Sequence, residues 1–175
     1  MKGGSALLIA FCASLSGCLP KPDFDSVPRI EYASIVQFPE SDPLTGKKLQ
    51  ENVVITVTFE DKDGDLGATA DERSDETFNS IYGKRGNYEL VTLTKNVDGS
   101  WDERILSSDS TMWMPILKPD GKAGPIKGKL DYELKKPYGN NSVNVEQKFK
   151  VRIRDRALHY SNQVETDIVT VPGYR

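Results

Sequence analysis

Histidine and cysteine are scarce in this chain of 175 residues, which has one of the first and two of the second. Those three side chains are one short of the four ligands that a tetrahedral structural zinc site takes. The only imidazole, His159, lies in a turn-rich segment, so a Ser-His-Asp triad has a single and poorly placed base to work with. An excess of positive charge is also missing. Lys and Arg total 23 against 26 Asp and Glu, for a formal net charge of -3, and this excludes the basic footprint of a nucleic-acid binder. No Gly-rich phosphate loop, nucleophile elbow or histidine-based metal motif is present. Carboxylate pairs of the kind glycosidases use are available among the acids, but nothing in the pattern demands catalysis, and the chain is read as non-enzymatic. No window repeats apolar residues at helical spacing. With 37% hydrophobic and 28% charged residues, the composition is that of one folded domain with a core.

Both cysteines lie within the first eighteen residues. Met1-Lys2 is a short positive segment, and Ala6 to Leu15 is an apolar run of ten residues with one serine. That length suits the apolar region of a signal peptide and is too short for a permanent transmembrane helix. The run ends in Leu15-Ser16-Gly17-Cys18, which resembles the bacterial lipobox. The resemblance implies cleavage after Gly17, a diacylglycerol on the Cys18 thiol and an acylated new amino terminus. Residues 1–17 are then a lipoprotein signal peptide. Cys12 leaves with it, Cys18 is consumed by lipid, and the mature chain has no thiol for a disulfide or a nucleophile. Its formal charge becomes 22 minus 26, or -4, because Lys2 is the only charged residue removed. Three acyl chains at about 0.8 kcal/mol per buried CH2 hold such a protein on a membrane without spanning it. Leu19, not Asp, follows the cysteine, which points to the outer membrane. Residues 18–29 hold three prolines, Pro20, Pro22 and Pro28, and read as a stiff, extended tether.

Residues 30–175 read as a single all-β domain. From Asn52 to Glu60, Val53, Ile55, Val57 and Phe59 fall on one face, with Thr56, Thr58 and Glu60 on the other. Phe149, Val151 and Ile153 alternate with Lys148, Lys150, Arg152 and Arg154 in the same way. This period of two is that of half-buried strands. Weaker strand patterns cover 30–37, 87–95, 101–106, 112–117, 127–134 and 163–171, and Asn96 to Gly99 is a hairpin-type turn signal between two of them. Strands at these short intervals predict an antiparallel, immunoglobulin-like β-sandwich of about 7–8 strands.

The strand that ends at Glu60 runs into Asp61-Lys62-Asp63-Gly64-Asp65-Leu66-Gly67. Carboxylates at i, i+2 and i+4, with two glycines for a tight turn, can converge on one point. Like charges so placed repel unless a cation sits between them, and hard oxygen ligands suit Ca2+. Glu72 lies where an EF-hand would place its bidentate glutamate. The sixth position is Leu66, however, where an EF-hand needs glycine, and the flanking helices are missing, so the expectation is a Ca2+ loop of another kind. The other reading is a solvated acidic turn, for Asp and Gly are ordinary turn residues. Asp155 follows the strand 146–154. If 52–60 and 146–154 are the second and sixth strands of an immunoglobulin-like sandwich, Asp155 either joins Asp61, Asp63 and Asp65 or pairs with Arg154 or Arg156.

Glu60 to Gly67, Ile126 to Tyr132 and Arg154 to Asn162 together resemble a group of small outer-membrane lipoproteins of Bacteroidota. In that group a strand leads into an Asp-x-Asp-Gly-Asp-x-Gly loop, and an Asp-Arg-Ala-x-Asn-x-Ser-Asn segment precedes the last strand. His159 departs from that second pattern. The resemblance implies an envelope location and a sandwich fold without an established enzymatic activity.

Two non-catalytic functions follow as expectations. The first is an accessory module that docks on an outer-membrane protein partner through sheet faces, an edge or the 107–128 loop. Met112, Trp113 and Met114 in that loop either form an exposed docking patch or pack inward as an edge strand. The second is a glycan-binding module in which Trp101, Trp113 and loop tyrosines form a stacking platform beside the acidic loop.

Overall fold

The computed structural model describes residues 22–173. Eight strands form two antiparallel sheets that face each other as a sandwich. The strands are β1 (Arg29–Ser41), β2 (Lys48–Asp61), β3 (Tyr88–Lys95), β4 (Trp101–Arg104), β5 (Ile126–Pro137), β6 (Val143–Ile153), β7 (Val164–Glu165) and β8 (Val169–Gly173). One sheet has the order β1-β2-β5. The other has the order β4-β3-β6-β7, with β8 pairing further along β6.

The alternation read from the sequence is the one the sandwich uses. Val53, Ile55 and Val57 on β2 face Leu90 on β3 and Phe149, Val151 and Ile153 on β6 in one core cluster. Each of these seven side chains is fully buried. The 52–60 strand extends by several residues, to Lys48–Asp61, because β1 and β5 pair it on both sides. A register shift between Tyr32 and Ser34 in β1 is a β-bulge. It keeps Ile30 and Ile35, an odd number of residues apart, on the core side. The 163–171 pattern divides into β7 and β8, and the Asn96 turn joins β3 to β4 as expected, with Gly99 N donating to Asn96 O at 3.0 Å.

Two regions differ from the sequence reading. Residues 112–117 are not a strand. Pro115 cannot donate to a ladder, and the segment is instead tied crosswise: Asn87 N donates to Met112 O (3.0 Å), Ala68 N to Met114 O (3.0 Å) and Leu117 N to Leu66 O (3.1 Å). The structure also has two short helices, α1 (Ala70–Ser74) and α2 (Glu76–Ile81). Neither buries a residue, so there is no apolar stripe to read. Their signal is in the caps, a Thr69/Glu72 capping box for α1 and Asp75 for α2. Among the described residues no helix is long and apolar enough to cross a membrane.

Candidate metal centre

β2 and β6 deliver an aspartate to the same end of the sandwich. Asp61 is the last residue of β2, and Asp155 lies two residues beyond β6. They are 0% and 1% exposed. Asp61 Oδ2 accepts from Gly64 N at 2.6 Å and Asp65 N at 3.2 Å, an Asx-type turn that curls the loop back and brings Asp65 beside Asp61. Asp61, Asp65 and Asp155 each offer a carboxylate oxygen within 4.8 Å of the others.

The loop is clamped from below and above. Leu66 is 1% exposed and belongs to the core cluster, while Gly124 N donates to Asp63 O at 3.0 Å. Gly67 has φ +102, and a Cβ there would lie 2.0 Å from Pro115 O. Gly67→Ala therefore combines a left-handed backbone with a clash against main chain and is expected to cost roughly 2–4 kcal/mol in denaturant melts. Gly99, at φ +85 with nothing within 4 Å, is the control: Gly99→Ala should cost only about 1 kcal/mol. Equal losses at the two sites would remove the clamp as the cause.

Asp155 is held in place by a five-residue turn. Its Oδ1 accepts from His159 N at 2.7 Å, its Oδ2 meets His159 Nδ1 at 2.9 Å, and its carbonyl accepts from Tyr82 Oη at 3.2 Å. His159 is thus a positioning group for a site residue, legible only as an i, i+4 pair once Asp155 is known to matter. The adjacent guanidinium groups are occupied elsewhere. Arg156 donates to Glu72 Oε2 at 2.6 Å, and Arg154 donates to the carbonyls of Tyr82 (3.3 Å) and Leu158 (3.4 Å). Among the described residues, the one basic side chain in contact with any of the three carboxylates is His159, on Asp155.

Negative charge is therefore concentrated without a matching cation. Burial pushes the Asp61 carboxyl up to about 6, with the Asp65 and Asp155 charges adding to the shift and the Gly64 and Asp65 amides opposing it. Burial, and then the Asp155 charge, raise Asp65 as well. Asp61 Oδ1 and Asp65 Oδ1 are both buried with no hydrogen-bond partner among the described residues. Orphaned buried oxygens of this kind are costly, and a small hard dication is what would satisfy two of them at once. Ca2+ takes six to eight oxygen ligands, so the triad supplies part of a shell.

The expected ligand set is only partly assembled. Asp61, Asp65 and Asp155 meet, but Asp63 and Glu72 stay outside the cluster. Glu72 is the capping-box residue of α1: its Oε2 accepts from Thr69 N at 2.8 Å, and its contact with Arg156 keeps its carboxyl below the ordinary range. Asp63 contributes its backbone carbonyl to the clamp rather than its carboxylate to the triad.

The aromatic and methionine positions also fall differently from the docking patch. Met112 and Met114 are 5% and 2% exposed and belong to the core, so the inward-packing reading holds for them, although without a strand. Trp113 turns the other way onto α2, with its ring centroid 5.6 Å from Phe78 and 5.0 Å from Tyr82, the latter edge-on. Trp101 is half-buried under Lys148, whose Nζ sits 4.6 Å from the ring centroid. The two tryptophans thus rest on different neighbours, Trp101 on Lys148 and Trp113 on Phe78 and Tyr82. No family model matches the chain, and neither a curated protein nor a solved structure matches it.

Proposed function

We propose that this chain is a lipid-anchored, non-enzymatic β-sandwich module of the outer membrane, stabilised by Ca2+ at the Asp61–Asp65–Asp155 site and serving as an accessory part of a cell-envelope complex. The observation that carries the cation reading is the meeting of three carboxylates from two different strand ends, two of them with buried oxygens that nothing among the described residues pairs. The immunoglobulin-like assignment rests on strand order. The first, second and fifth strands share one sheet, and the third, sixth and last share the other, which is the immunoglobulin arrangement with the fourth strand moved across.

A lipid on Cys18 would tether the domain from the end that holds the cation site. Lys62 N donates to Asp25 O at 3.1 Å, so the chain enters the domain beside the acidic loop. Asp25 is seven positions along the chain from Cys18, a reach of at most roughly 25 Å when extended. The cation site would then face the lipid, and the β1–β2 hairpin, with Phe38 and Leu44 exposed, would face away from it. Cys18→Ser should move the protein from the membrane fraction to the soluble fraction, and persistence at the membrane would contradict the lipid anchor. Mild detergent extraction of the lipidated chain should bring a stoichiometric outer-membrane protein with it; recovery of the chain alone would count against the accessory role.

A further inference from the structure

The inward-facing positions of both sheets change character along the strands. Around the middle of the sandwich they are Ile55, Leu90, Phe149 and Val151. Towards the end opposite the acidic triad the same register holds Lys136 on β5, Thr92 and Thr94 on β3 and Gln147 on β6. Thr92 lies opposite Phe149, Thr94 opposite Gln147 and Lys136 opposite Glu51. A partly open cavity of about 760 Å³ lies there, lined by these polar residues together with Val145, Leu106 and Pro172 and with Lys95, Asp102 and Arg104, of which Lys95 is ion-paired to Glu146 and Arg104 to Asp102. It exists because β4 pairs with β3, leaving β5 without a second neighbour, so that no strand closes the sandwich between β4 and the end of β5.

Gln147 Nε2 donates to Thr94 Oγ1 at 3.1 Å, but part of this polar lining is left unsatisfied among the described residues. Thr92 and Gln147 are 2% and 8% exposed, yet Thr92 Oγ1 and Gln147 Oε1 have no hydrogen-bond partner among the described residues. Lys136 forms no ion pair among the described residues, since its cross-strand neighbour Glu51 accepts from Tyr138 Oη at 2.8 Å and Lys48 Nζ at 3.4 Å instead. The Lys136 ammonium lies 5.4 Å from the centroid of the fully buried Phe149 ring. Burial lowers its pKa, and the Asp109 charge opposes that shift without an ion-pair contact. Inward polar groups left unpaired cost folding free energy, and a cavity of this size with apolar walls and a few polar anchors has the form of a small-molecule site.

We propose that this cavity binds a small amphiphilic carboxylate, with the carboxylate on Lys136, the apolar body against Val145, Leu106 and Pro172, and a hydroxyl or amide donor directed at Gln147. The site is remote from the cation centre and does not depend on it. Ligand-observed NMR on the full chain in lipid nanodiscs, with empty nanodiscs as the blank, tests it using 3-phenyllactate, 3-phenylpropionate and 3-phenylpropanamide. The expected order is phenyllactate, then phenylpropionate, with the uncharged amide at least about tenfold weaker. Lys136→Met should weaken both acids about tenfold with the melting temperature kept, and Gln147→Leu should erase the preference for phenyllactate. Equal binding of acid and amide, unaltered binding by Lys136→Met, or no binding of any of the three above the blank would overturn the proposal. Should a variant not fold, the acid-against-amide comparison on the unaltered chain still decides it.

Discussion

Saturating Ca2+ is expected to raise the melting temperature of the protein by roughly 5–10 °C over the value in chelator. A ligand at about a hundred times its Kd adds about 2.7 kcal/mol, and a domain of this size gains about 2–4 °C per kcal/mol. Asp61→Asn should eliminate that response and, unusually for a buried polar substitution, stabilise the cation-free protein. The reason is the carboxyl's pKa, which stands at about 6 in the folded chain against an ordinary 3.8. A group that binds its proton more tightly when folded makes stability fall as pH rises, here between about 4 and 6, and the loss is complete above that window. At pH 7 the penalty is about 3 kcal/mol, and Asn removes it while keeping an oxygen for the Gly64 and Asp65 amides. In calcium the dependence reverses, because the cation binds the ionised form and is lost as pH falls below about 6. Identical melting curves with and without Ca2+ from pH 5 to pH 8 would eliminate the site.

Phe149→Ala is expected to cost about 3–5 kcal/mol, a large share of the 5–15 kcal/mol by which domains of this kind are stable. Phe149 is fully buried on the central strand of the larger sheet, and its backbone is pinned by Thr166, whose Oγ1 accepts from Phe149 N at 3.0 Å. The strand on that side cannot collapse into the space left by the ring. Phe38, on the same scale of size but 47% exposed, provides the comparison: Phe38→Ala should change stability by no more than about 0.5 kcal/mol. Urea melts of both variants measure the difference, and similar losses would mean that the core is not organised around Phe149.

The strands were readable where one face is buried and the other is not. Val53 to Phe59 and Phe149 to Ile153 carry a period of two because each sits in the middle of a sheet over a single core. The 112–117 segment shows the limit of that signal. Met112 and Met114 do point inward, as an alternating strand would have them, but their backbone partners come from two separate segments, 85–88 and the loop at Ala68, and Pro115 prevents a ladder. The helices at 70–81 carried no hydrophobic signal because they bury nothing. Only the caps, Thr69 with Glu72 and then Asp75, marked them, and Glu72 entered the expected ligand set for another reason, its place eleven residues after Asp61.

By itself the sequence determined the all-β class, the two principal strands and the acidic loop after β2, since local alternation and turn chemistry act between near neighbours in the chain. It also holds the Leu15 to Cys18 motif, which lies outside the described residues. Which carboxylates meet was decided only by tertiary structure. Asp155 is ninety residues from Asp65, and the two come together because the paired sheets bring the ends of β2 and β6 to one pole. Asp63, two residues from either loop partner, stays outside because the loop curls around the Asp61 side chain. Likewise, the inward turn of Lys136 becomes a cavity only because β4 joins the opposite sheet, a choice made by strand pairing across the whole domain.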